Sequence, residues 1–120
     1  QKVNSHAQIS EANPHRLVQM LMEGGLDRIA QAKGALARGD IAEKGLMLGK
    51  AIDIIIGLRD GLDAGKSEDP AYVQQLESLY VYMTNRLMEA NVKNDVTIMD
   101  EVLVLLVTVK SGWDAIGVAE

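Results

Sequence analysis

The sequence predicts an all-α protein: an antiparallel up-down-up-down four-helix bundle with a short N-terminal arm. Three observations predict it. Aromatic residues make up 3% of the 120 and Phe is absent, so Ala, Leu, Met and Ile must fill the interior, which favours helices over a β-sandwich. Apolar residues recur at spacings of three and four through most of the chain. Asn-Pro and Asp-Pro pairs stand where helices would begin, and Gly- or Asn-containing polar stretches stand where they would end.

The first 13 residues lack a long period and read as an arm, with Val3, Ala7 and Ile9 able to dock on the bundle; residues 14–120 read as one domain. The first helix starts at Asn13-Pro14, a cap followed by Pro where its missing N–H costs nothing. It runs to about Arg38 and stops at Gly39-Asp40, with a core stripe of Val18, Leu21, Met22, Gly25, Ile29, Ala32 and Leu36. The second runs from Asp40 to about Leu62 with the stripe Ile41, Gly45, Leu48, Ile52, Ile55, Ile56 and Leu62. Residues 63–69, DAGKSED, are polar and read as a loop.

The third helix repeats the Asp-Pro start at Asp69-Pro70 and reaches about Ala90, with Tyr72, Leu76, Leu79, Tyr80, Met83, Leu87 and Ala90 on one face. Asn91 to Asn94 connect, and Asp95 caps a fourth helix that runs to about Ile116. That helix contains VLVLLVTV, residues 102–109, where valine favours strand. Helix prevails because Met99, Val102, Leu106, Val109, Trp113 and Ile116 keep a helical period, and no second strand is present to satisfy its backbone groups. Helices of this length joined by short loops lie antiparallel.

A bundle helix needs one apolar stripe a little over roughly 100° wide. The fourth helix exceeds this with an arc of roughly 160°, and Val104 and Val107 lie outside even that arc. On the second helix Met47, Ala51, Ile54 and Leu58 form a line of their own, offset from the core stripe. Met20 and Met88 also point away from the core. These six, Met47, Ala51, Ile54, Leu58, Val104 and Val107, are the candidate partner-binding residues, because surplus stripes mark contact with another helix, subunit or peptide. Gly45, Gly49, Gly57 and Gly61 admit two readings: close core packing, or a shallow groove that another helix can approach.

Chemistry is sparse. GLDAGKS, residues 61–67, is one residue short of a phosphate loop and follows a helix rather than a strand. His6 and His15 do not follow Glu at ligand spacing, so a di-iron bundle is excluded and no metal or cofactor is expected. Asp100-Glu101 suits a helix N-terminus better than acid–base work. Lys33, Lys44 and Lys50 read as solvated. There are no cysteines and no catalytic constellation, so the chain does not read as an enzyme. A net charge of -5 without a basic cluster argues against nucleic acid, and no apolar run is long enough for a membrane span.

Four blocks in order resemble the flagellar export chaperone FliS family. They are ANPHRLVQMLMEGGLDRIAQAKGAL (12–36), GDIAEKGLMLGKAIDIIIGLRDGLD (39–63), LYVYMTNRLMEANVKND (79–95) and DEVLVLLVTVKSGWDAI (100–116). Met22 stands where the family commonly has Tyr, and Val96 where Pro is common. The resemblance implies a cytosolic bundle that holds the disordered C-terminal segment of flagellin in apolar grooves and prevents premature polymerisation. It also implies an arm able to cover part of the groove when no client is bound. The alternative is a homo-oligomeric helical adaptor whose surplus stripes join copies, and a homodimer in the absence of client is compatible with either.

Overall fold

A computed structural model describes residues 13–63, 65 and 67–118, with side chains to residue 116. Apart from Asn13, the arm expected over residues 1–13 lies outside the described residues. Four helices follow one another: α1 (Pro14–Ala37), α2 (Ile41–Asp60), α3 (Pro70–Lys93) and α4 (Val96–Val118).

Each start is a side-chain cap. Asn13 accepts from the Arg16 N–H at 2.8 Å, Asp40 from Glu43 at 3.0 Å and Asp69 from Tyr72 at 3.1 Å. Asp95 accepts from Thr97 at 2.9 Å and Ile98 at 3.4 Å. These bonds satisfy amides that the first turn leaves without helical partners. Gly39 ends α1 at φ 77°, with the Asp40 N–H reaching back to the Ala35 carbonyl at 2.9 Å. Asn94 ends α3 in the same left-handed region at φ 52°. Because Asn94 supplies that stop, α3 continues past Ala90 to Lys93, and Asn91 is helical rather than part of the connection.

Side chains from opposite ends of the sequence show the antiparallel order. Trp113 Nε1 donates to the His15 carbonyl at 2.9 Å, and the Lys33 ammonium pairs with Asp100 at 2.5 Å, so α4 runs back along α1. Arg86 Nε donates to Glu101 at 2.8 Å across α3 and α4. Arg59 approaches Glu77 at 3.8 Å across α2 and α3. Helix neighbours in space are α1–α2, α2–α3, α3–α4 and α4–α1, which closes an up-down-up-down bundle.

The core takes Met22, Ile29, Ala32 and Ala35 from α1 and Met47, Leu48, Ala51, Ile55 and Leu58 from α2. Tyr80, Met83, Leu87 and Ala90 come from α3, and Ile98, Met99, Val102 and Leu106 from α4. VLVLLVTV is therefore helical, with Val102 and Leu106 fully buried. Burial pushes the Tyr80 hydroxyl up to about 12, with a smaller contribution from Tyr72.

Several side chains expected in core stripes are exposed instead: Leu21, Ile41, Ile56, Tyr72 and Ile116. Ile41, Tyr72 and Ile116 lie in the first or last turns of their helices. Lys44, expected to be solvated, is 3% exposed. Its ammonium donates to the Asn91 carbonyl at 2.8 Å and to Asn94 Oδ1 at 2.5 Å, which places a cation at the C-terminal end of α3.

Candidate functional site

The line Met47, Ala51, Ile54 and Leu58 is not spare surface. Met47, Ala51 and Leu58 are core residues, at most 8% exposed, and Ile54 is half-buried. The reason is local to α1. A Cβ added to Gly24 would stand 3.4 Å from Ile54 Cδ1, and one on Gly25 would stand 3.6 Å from Ile54 Cγ2. The missing side chains let α2 lie close to α1. A helix with a neighbour on each flank needs two apolar lines, one for α1 and one for α3. The offset line is the α1-facing one.

Val104 and Val107 are placed as expected, 64% and 52% exposed on the outer side of α4. Met88 is exposed too, whereas Met20 is half-buried. The glycines of α2 divide. Gly45 lies beside Asn91, where a Cβ would meet Oδ1 at 3.7 Å, while Gly49 and Gly57 have nothing within 4 Å of theirs. The Gly45–Asn91 and Arg59–Glu77 contacts share one antiparallel register, which sets Gly49 level with Leu87 and Met88. Ile41, Ile56, Met88 and Val92 are all exposed around that floor. An open apolar face thus runs along α2 and α3, separate from the valines of α4. Single-helix periodicity did not reveal it, because Ile41 and Ile56 share the stripe of the core residues.

Two clefts adjoin these faces. One lies between α1 and α4, about 370 Å³, with Leu26 and Val107 among Glu23, Asp27, Lys110 and Asp114. Lys110 donates to Asp114 at 2.7 Å, and Gln19 donates to the other Asp114 oxygen at 2.6 Å. These bonds, Lys110 first, hold the Asp114 carboxyl below its usual range. The second cleft, about 160 Å³, opens at the end of the bundle and is lined by Val18, Leu21, Met22, Leu58, Leu62, Leu76, Tyr80 and Trp113. Its Trp113 wall is held by the bond to the His15 carbonyl and by stacking on the His15 ring, centroids 4.7 Å apart. The glycines at its lip, Gly57 and Gly61, keep it open.

On the opposite flank of α4, Glu101 accepts from Tyr82 at 2.6 Å as well as from Arg86. Together they hold its carboxyl below the usual range, the Tyr82 bond leading. With Asp100 on Lys33, both acidic residues of the Asp100-Glu101 pair form cross-helix contacts. Among the described residues no group of His, Cys, Asp and Glu is placed to hold a metal ion. No described helix is long and apolar enough to cross a membrane.

The geometry is that of a closed bundle presenting apolar faces and clefts rather than reactive groups, and comparison with known proteins agrees. The family described as "Flagellar protein FliS" matches residues 1–120. The chain is 55% identical to the flagellar secretion chaperone FliSB of Pseudomonas aeruginosa, over 97% of this chain and 90% of that protein. It is 44% identical to the flagellar secretion chaperone FliS of Vibrio cholerae, over 96% of this chain and 83% of that one. Identity to the Salmonella typhimurium FliS is 38%, over 96% and 84% respectively. Its relatives are secretion chaperones and not enzymes. A four-helix bundle with this surface and these relatives belongs to the FliS family of flagellar export chaperones.

Proposed function

We propose that this chain is a flagellin chaperone of the bacterial cytosol. It holds the disordered C-terminal segment of newly made flagellin on its apolar faces, blocks premature polymerisation and keeps the subunit competent for export. The observation that carries this reading is apolar surface standing open beside a core that is already full: Val104 and Val107 on α4, and Ile56 and Met88 around the Gly49 floor. Val104 and Val107 remain direct contacts from the expected set. Met47, Ala51, Ile54 and Leu58 act from beneath, by holding α2 against α1.

Binding of this kind couples to folding of the client. Ordering a disordered segment costs about 2–5 kcal/mol or more, and burial on the order of 2,000 Å² of interface can offset it. A bundle preformed by its own core leaves that ordering cost with the client. The exposed faces also suit a homodimer when no client is bound.

Calorimetric titration with a flagellin C-terminal segment tests the reading. The Val104→Asp/Val107→Asp variant should keep its helical spectrum and melting temperature and bind at least about tenfold more weakly, since charges would lie in an apolar contact. Undiminished binding by that variant would remove α4 from the contact surface. For the adaptor alternative, light scattering is decisive: a constant monomer mass up to high micromolar concentration excludes it.

A further inference from the structure

We infer that the part of the client lying over α1 and α4 carries Lys or Arg beside its apolar anchors, with the basic groups seated among Glu23, Asp27 and Asp114. This rests on the chaperone reading above and adds the chemistry of the bound segment.

The α1–α4 cleft sets three carboxylates against the single ammonium of Lys110, around an apolar floor of Leu26 and Val107. The cleft between α1 and α2 has no such imbalance, with Arg38 matching Glu43, and the end cleft is lined by no charged group. The charges of the α1–α4 cleft are unequally used. Lys110 donates to Asp114 at 2.7 Å and stands 3.8 Å from Glu23, which Arg16 also approaches at 3.4 Å. Asp27 is exposed and has no ion-pair or hydrogen-bond partner among the described residues.

Lys110 shows what the cleft accepts: a cation on a long aliphatic stem, its side chain 21% exposed, held between acids. A wholly apolar segment laid over Val107 would take Asp27 out of water without a partner, and Glu23 with only its longer contacts to Arg16 and Lys110, which is costly. An acidic segment would be repelled. A segment with a basic residue next to its apolar anchor covers Val107 and neutralises Asp27 at once, its stem lying along the apolar floor.

The test is titration of a flagellin C-terminal segment at about 50 mM and about 500 mM salt, where exposed charges are weakly and strongly screened. Glu23→Gln/Asp27→Asn should weaken binding about tenfold at low salt, with the difference largely gone at high salt. Lys110→Gln, which removes the competing cation, should tighten binding about threefold at low salt. Glu43→Gln/Glu68→Gln makes the same change in net charge away from the α1–α4 cleft and from the open face along α2 and α3, and should leave affinity unchanged. If the wild type binds but neither salt nor the cleft variants alter its affinity, the inference fails and the chaperone reading stands. Equal weakening by the Glu43→Gln/Glu68→Gln control would also overturn it, because net charge alone would then explain the effect. A wild-type chain that binds no flagellin segment overturns both.

Discussion

Ile54 lies in the gap that Gly24 and Gly25 leave on α1, its Cδ1 3.4 Å from where a Gly24 Cβ would stand. This contact converts a line of α2 residues that looks surplus into one wall of the core. It also makes the two glycine classes of the chain separable by experiment.

Gly25→Ala should destabilise the bundle. The new Cβ would be 3.2 Å from Leu106 Cδ2, and Leu106 is fully buried and poorly placed to give way. Overpacking of about 1–3 kcal/mol should exceed the helix-propensity gain of about 1 kcal/mol. Gly49→Ala and Gly57→Ala meet open space, so each should stabilise by up to about 1 kcal/mol. Urea denaturation of the three variants reads both signs, and a stabilised Gly25→Ala would mean that Leu106 can move aside at little cost.

Lys44→Met should lower stability by about 1–3 kcal/mol although methionine suits a buried site. The substitution leaves the Asn91 carbonyl and the Asn94 side chain without the ammonium they now share. It also removes a cation from the C-terminal end of α3. Amide exchange should show the loss concentrated at residues 90–95. Uniform loosening of the whole bundle would contradict a local latch.

Tyr80 makes the bundle sensitive to alkali. Its folded pKa is raised to about 12 from 10.0, so the folded state keeps the proton longer than the unfolded chain does. The associated stability is complete below pH 10 and is lost as the pH rises towards 12, roughly 2 kcal/mol by the upper end. Denaturation midpoints at pH 8, 10 and 11.5 should fall more steeply for the wild type than for Tyr80→Phe. Parallel slopes would show that burial of this hydroxyl is not the cause.

Glu101→Gln should lower the melting temperature at neutral pH and little in acid. The carboxylate accepts from both Tyr82 and Arg86, and these bonds depress its pKa, so its contribution is present above the ordinary Glu range and fades as the pH falls through the lowered value. Melting at pH 7 and at pH 3 compares the two states directly. An equal deficit at both would assign the effect to packing rather than charge.

Local chemistry was legible in the sequence wherever a residue acts within its own helix. Asn13, Asp40, Asp69 and Asp95 cap because a short polar side chain reaches amides two or three residues on. Met22, Ile29, Leu87, Val102 and Leu106 were legible as core from the helical period, and Val104 and Val107 as surplus because no helical arc reaches them. The blocks that resemble FliS, and hence the chaperone family, were legible in the same way, as residue identity in order along the chain. What tertiary structure alone decided was the fate of each surplus line. Periodicity gives the angle of a side chain about its own axis but not where the neighbouring axes lie. Met47, Ala51 and Leu58 became core because Gly24 and Gly25 let α1 approach, Lys44 became buried because α3 ends above it, and Ile56 stayed open because nothing among the described residues covers that edge of α2.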